Sequence, residues 1–381
     1  MLRISSPPGP SDPSWYTALA AHETHVFTSS DWLNQLGPYA GTGGDERTAN
    51  AIFSYSGGFL VTSGIYNGST HIPGPFICLH GGGHAAYNGN EIAAFGPLTS
   101  ESPTWYWAAG ADPATTGSPT NGNMPASCHT YSYLEYLSSV NKLIVPVMAA
   151  YYDGAGASFA ARLFNFGYVN PSAALQSAWE SIPNCPGGSQ AIFGGHSTYD
   201  SADDVLWYFD GYGQNYAASY DVQGNSWTRY PSGSGYLDPP IDYTDRRTCA
   251  IDPVTKVVVI QQASAPPVCF DARNPGDGYY TPGGTNRPAD GNGSVLFDPV
   301  NRRWVYYAGG DTIRYCDVPA NPYAGGDNFN WTSVTIGSGL PTVGGTSGDG
   351  QSMYNRWRYC PSPAGYVGIA GNNRNVIFVR A

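Results

Sequence analysis

Apolar and polar positions alternate in short bursts along this chain. Four bursts share one plan: an apolar strand, a tight polar turn and a second apolar strand. They are Tyr136–Val145, Ile251–Val259, Phe297–Val305 and, more loosely, Cys360–Val367. Two of the turns open with Asp-Pro (Asp252-Pro253 and Asp298-Pro299), and the first is built on Ser138-Ser139. Such residues favour turns through a fixed φ and local side-chain hydrogen bonds. The flanks are β-branched or aromatic, as strands prefer.

A tryptophan series runs in step with these hairpins. Trp105, Trp179, Trp227 and Trp331 each fall near the end of one unit. Glycine pairs or runs recur at Gly57-Gly58, Gly81-Gly82-Gly83, Gly194-Gly195 and Gly309-Gly310, and are expected to end second strands. A unit of roughly 45–60 residues made of short strands predicts propeller blades. First strands are expected near Ile52, Phe76, Tyr131, Ala191, Thr248, Ser294 and Tyr354, which makes seven blades. Stretches 108–127, 264–293 and 337–350 read as loops. Residues 1–48 match no blade and predict an arm or plug with a short helix within Ser14–Thr24, leaving 49–381 as the propeller.

The best unit is Ile192-Phe193-Gly194-Gly195-His196, then Leu206–Asp210, then Trp227. It resembles the kelch blade of galactose-oxidase-like propellers. The resemblance covers roughly residues 50–381. It implies an all-β fold and says almost nothing of function.

Composition supports this class. Gly 49 and Pro 31 disfavour long helices, while 10 Trp, 29 Tyr and 14 Phe supply apolar surface to bury. Only 12% of residues are charged, the net charge is −11, and Lys142 and Lys256 are the only lysines. A nucleic-acid partner is therefore not expected. No apolar run reaches the ~20 residues of a membrane span. The start, Met1–Pro7, lacks the apolar stretch of a secretory leader, which predicts synthesis in the cytosol without a signal peptide. Seven cysteines with no C-x-x-C predict small buried hydrophobes rather than a disulfide frame.

Three chemistries compete for the polar residues. Some propeller lyases that cleave uronate polysaccharides resemble this pattern. That resemblance implies His129 or His196 as base, Tyr131 or Tyr199 as acid, and Arg247 or Arg358 as the clamp on the uronate carboxylate. A metal site would draw on His84, His129 and His196, but no metal motif such as H-E-x-x-H is present, and no metal or other cofactor is expected. In the third reading the histidines are scaffold, and Glu91, Asp210 and Asp252 are turn or blade-bridging groups. His84, Tyr87, Asn90, Glu91 and Arg356 then stand as ligand-binding candidates.

A Gly-, Ser-, Thr-, Asn- and Tyr-rich, lysine-poor surface without an export signal fits a protein on the exterior of a bacteriophage virion. The expected function is thus a non-enzymatic decoration, fibre-associated or receptor-binding propeller, contacting other virion subunits or cell-surface glycan. The alternatives are a polysaccharide lyase or depolymerase and an intracellular protein-interaction propeller.

Overall fold

The computed structural model describes residues 12–28, 30, 55–81, 89–111, 120–149, 157–168, 175–186, 194–210, 216–231, 247–262, 265–289, 291–340, 352–369 and 375–381. They form a β-propeller of six four-stranded antiparallel blades. Blade I comprises Gly58–Val61, Phe76–His80, Ile92–Gly96 and Thr104–Ala109. Blade II comprises Glu135–Leu137, Lys142–Val145, Arg162–Asn165 and Trp179–Ser181. Blade III comprises His196–Asp200, Val205–Phe209, Ala217–Asp221 and Ser226–Tyr230. Blade IV comprises Thr248–Ile251, Val257–Gln261, Val268–Asp271 and Tyr279–Tyr280. Blade V comprises Ser294–Asp298, Arg303–Tyr307, Thr312–Asp317 and Thr332–Thr335. Blade VI comprises Trp357–Pro361, Ala364–Ile369 and Val376–Arg380, and takes its outermost strand, Thr24–Val26, from the other end of the sequence. First strands line the centre, and each touches the first strand of the next blade around the ring.

Six blades replace the seven expected. The supposed unit at Phe76 is no separate blade, because Phe76–His80 pairs with Gly58–Val61 as its second strand, while the expected starts at Ile52 and Ala191 lie outside the described residues. Residues 62–75 between those two strands carry a small hairpin, Ile65–Asn67 with Thr70–Ile72, and that insertion imitates a blade boundary. Likewise the 1–48 segment is not wholly separate from the propeller. Thr24–Val26 pairs with Val376–Arg380, and helix Ser14–Thr17 lays Trp15 and Tyr16 against Phe27 and Phe378 at the rim rather than across a mouth.

Burial falls from the second strand to the fourth, and the sequence follows it. Phe76–His80 and Val257–Gln261 are buried at every position, as near-continuous apolar runs covered on both faces should be. The outer strand Ser226–Tyr230 has no buried residue. Apolar clusters fill the gaps between neighbouring blades. Trp207, Phe209 and Ala217 of blade III meet Cys249, Ile251 and Val258 of blade IV. Trp304 of blade V packs on Val257 and Val259 of blade IV and donates its indole N–H to Ala250 O at 3.0 Å. The tryptophan series marks fourth strands: Trp105, Trp179 and Trp227 lie in them and Trp331 just precedes one. All seven cysteines are buried thiols. Among the described residues no helix is long and apolar enough to cross a membrane.

The strand 1–2 turns tie blade to blade. Asp200, Asp252 and Asp298 close the first strands of blades III, IV and V, and each accepts a backbone N–H two residues on. Just before the second strand, Asn141, Asp204, Lys256 and Arg302 take left-handed φ values of 57°, 58°, 63° and 51°. From there each side chain reaches the preceding blade. Asn141 accepts from Ser63, and Asp204 from Ser139, both at 2.6 Å. Lys256 donates to Asp200 at 2.6 Å and Arg302 to Asp252 at 2.9 Å. In blade VI, Tyr366 Oη takes this part and donates to Asp298 at 2.7 Å. Five clasps thereby join the six successive blades around one end of the ring.

Not every glycine pair ends a second strand. Gly57-Gly58 and Gly194-Gly195 instead lead into first strands, where blades crowd together. A Cβ on Gly57 would lie 2.3 Å from Tyr131 O, so only glycine permits that approach.

Candidate functional site

The meander gives the ring two unlike ends. Strand 1–2 and 3–4 turns lie at one, the turn end. Strand 2–3 connections and the passages between blades leave from the other, the connection end.

At the connection end, three tyrosines hold matching places. Tyr55, Tyr131 and Tyr354 lead into the first strands of blades I, II and VI, with φ values of 59°, 40° and 43°. Left-handed φ is strained for bulky residues and persists only where the surroundings enforce it. Their rings meet: Tyr55 to Tyr131 at 5.8 Å and Tyr131 to Tyr354 at 5.9 Å. His129 completes the group, stacked on Tyr55 at 4.5 Å with Nδ1 3.2 Å from Tyr131 Oη. Tyr133 Oη donates to the His129 carbonyl. Tyr55 and His129 are half-buried, whereas Tyr131 and Tyr354 are buried. The proposed pair His129 and Tyr131 is therefore brought together.

The remaining candidates are dispersed. His196 is fully buried and stacked on Phe209 at 5.3 Å. Burial, and then the nearby Arg247 charge, hold its pKa well below the ordinary histidine value. Tyr199 lies toward the turn end, where its hydroxyl donates to Asp204 at 2.5 Å. Arg247 is fully buried. Arg356, also fully buried, donates to the carbonyls of Ile369, Ser56 and Ser352. Asn90 donates to Pro125 O at 2.9 Å, and Glu91, though buried as well, accepts at its backbone carbonyl from His80 Nδ1 at 3.1 Å. His84 and Tyr87 lie outside the described residues.

Arg358 does hold a carboxylate, but it is the protein's own. Its Nη1 donates to both oxygens of Glu135 at 2.9 and 3.0 Å, linking blade VI to blade II. Nε and Nη2 reach Gly58 O at 3.1 and 2.7 Å, in blade I between them. Nε also meets Asn355 O at 2.9 Å and Nη2 meets Leu134 O at 2.8 Å. Burial pushes the Glu135 carboxyl upward, opposed by the Arg358 charge. Asn355 Nδ2 donates to Ser132 O at 2.5 Å, again from blade VI to blade II.

A cavity of about 330 Å3 lies at the turn end, lined by residues of all six blades. Glu135 was not among the sequence-based candidates. It sits in an apolar strand, and its partner is 223 residues away in sequence. A lone acidic residue inside a first strand was the one available signal.

Among the described residues no three His, Cys, Asp or Glu side chains come together as a metal site. No protein-family model matches this sequence, and the search of curated proteins found no match.

Proposed function

We propose that this chain is a kelch-like propeller acting as a non-catalytic display scaffold on the exterior of a bacteriophage particle. Its connection end carries the recognition surface for glycan or for neighbouring virion subunits. The observation that carries this reading is the aromatic group Tyr55, His129, Tyr131 and Tyr354, held by strained backbone at the entry of three neighbouring blades. The half-buried Tyr55 and His129 rings, backed by the buried Tyr131 and Tyr354, suit stacking against sugar or protein surfaces. Tryptophans on the outer strands support the kelch comparison, while glycine pairs ahead of first strands depart from it. The lysine-poor, Gly- and Tyr-rich composition favours the virion setting.

One contact favours a second reading. The His129–Tyr131 pair has the spacing that acid–base chemistry needs, as in a uronate lyase. Against it, Arg356 and Arg358 are already committed to groups of the protein. The test is to incubate the protein with acidic and neutral polysaccharides and follow retention, viscosity and ultraviolet absorbance. Retention without turnover, weakened by Tyr55→Ala, supports the display scaffold. A rise in absorbance abolished by His129→Ala replaces it with a lyase. Mass spectrometry of purified virions from the producing culture tests the particle setting directly.

A further inference from the structure

We propose that the turn-end cavity is a second binding site, independent of the connection end, for a neutral hydroxylated ring of monosaccharide size. Its volume of about 330 Å3 falls at the lower edge of the ~300–1,000 Å3 typical of ligand pockets.

The walls differ in chemistry. Blades IV and V present an apolar side through Ile251, Pro253, Leu296, Phe297 and Pro299. Blades I, II, III and VI present a polar side through Thr62, Glu135, Ser201 and Arg358. A sugar ring has the same division, with C–H faces and hydroxyl edges. Two further lining rings are fixed in advance. Tyr136 Oη donates to Asn141 at 2.9 Å and Tyr199 Oη to Asp204 at 2.5 Å, so each phenol is tethered to the turn of its own blade.

The charge pattern selects the ligand. A guanidinium has five N–H donors. Four of those of Arg358 are engaged by Gly58, Asn355, Leu134 and Glu135, the Nε–H and one Nη1 N–H each shared between two acceptors. The guanidinium charge is already matched by Glu135, so a ligand carboxylate or phosphate finds no free cation here. Glu135 retains acceptor capacity, because two carboxylate oxygens carry about four lone pairs. It can accept from hydroxyl groups. The Glu135–Arg358 pair is neutral overall, so an anion would lose its hydration with no compensating cation. This ion pair forms part of the cavity wall, and the Asn355–Ser132 contact lies nearer the connection end, ahead of the first strands.

The experiment titrates the full chain with glucose, galactose, mannose, N-acetylglucosamine and glucuronate. Saturation-transfer NMR and calorimetry provide the readouts. At least one neutral sugar is expected to bind saturably and glucuronate not to bind. Ser201→Trp, an exposed substitution at the mouth, is expected to abolish the signal. Glu135→Gln, which keeps a hydrogen bond to Arg358, is expected to weaken it about tenfold. Thermal unfolding of both variants checks that the ring stays intact. Absence of binding by every neutral sugar, equal binding of glucuronate, or full binding by a folded Ser201→Trp variant overturns the proposal. Failure here leaves the connection-end reading standing, since that rests on Tyr55 and His129.

Discussion

The two ends of the ring solve the same packing problem with different chemistry. At the turn end, successive blades are clasped by side chains on a repeated left-handed turn, and two buried carboxylates meet cations there, Asp200 with Lys256 and Asp252 with Arg302, while Glu135 meets Arg358 farther along the channel. At the connection end, the buried titratable groups include neutral imidazoles. His80 is fully enclosed beside Trp179, and burial lowers its pKa to about 4, partly offset by its bond to Glu91 O. His196 is lowered in the same direction. One end is thus clasped by paired charges, while the other buries neutral imidazoles near the enclosed Arg247 and Arg356 guanidiniums.

The largest way to break this contrast is Arg358→Ala. It strands the buried Glu135 carboxylate and leaves the Gly58 and Leu134 carbonyls without that donor. A loss of about 3–5 kcal/mol is expected in denaturant unfolding. Acid sharpens it next. In the unfolded chain His80 protonates near pH 6.5, but in the fold only near pH 4. The unfolded state binds the proton first, so stability falls as pH drops through that window, by about 3 kcal/mol from this group. His80→Phe should flatten that part of the pH–stability curve, measured by urea melts between the two limits.

Comparing two clasps gives a smaller effect. Lys256→Asn leaves the nearly enclosed Asp200 without its cation and should cost about 2–3 kcal/mol. Arg302→Asn should cost less, about 1 kcal/mol, because Arg302 is 47% exposed and the enclosed Asp252 keeps its bonds from Val254 N–H and Thr255 Oγ1. Asparagine tolerates the left-handed turn in both variants. Parallel thermal melts separate the two. Smallest of all, Val254→Ser and Val300→Ser change valines that are 68% and 71% exposed on turn tips. Each should shift stability by less than about 0.5 kcal/mol in the same melts.

The fold was legible wherever a signal was local. The hairpins around Val140, Val254 and Val300 and the tryptophans of the fourth strands follow from period and turn chemistry. The blade count was not, because the hairpin insertion at 62–75 reads as a boundary. Nor was the seam, since pairing of Thr24 with Val379 leaves no mark in either segment. Of the candidate site, the His129–Tyr131 juxtaposition could be read from their closeness in sequence. The Glu135–Arg358 pair could not, because it joins positions that only ring closure brings together.

That closing seam also has a mechanical side. Thr24, His25 and Val26 pair with Val379, Phe378 and Ile377, and His22 and Glu23 bond onward to Arg380. The chain beyond both strands leaves from the same end of this ladder. Tension between the two ends would therefore open it like a zipper, loading one residue pair at a time. A sheared ladder would share the load among all its pairs. If this ring is anchored through a single end, the seam carries no force. If it is pulled at both, blade VI gives way while blades I–V remain whole.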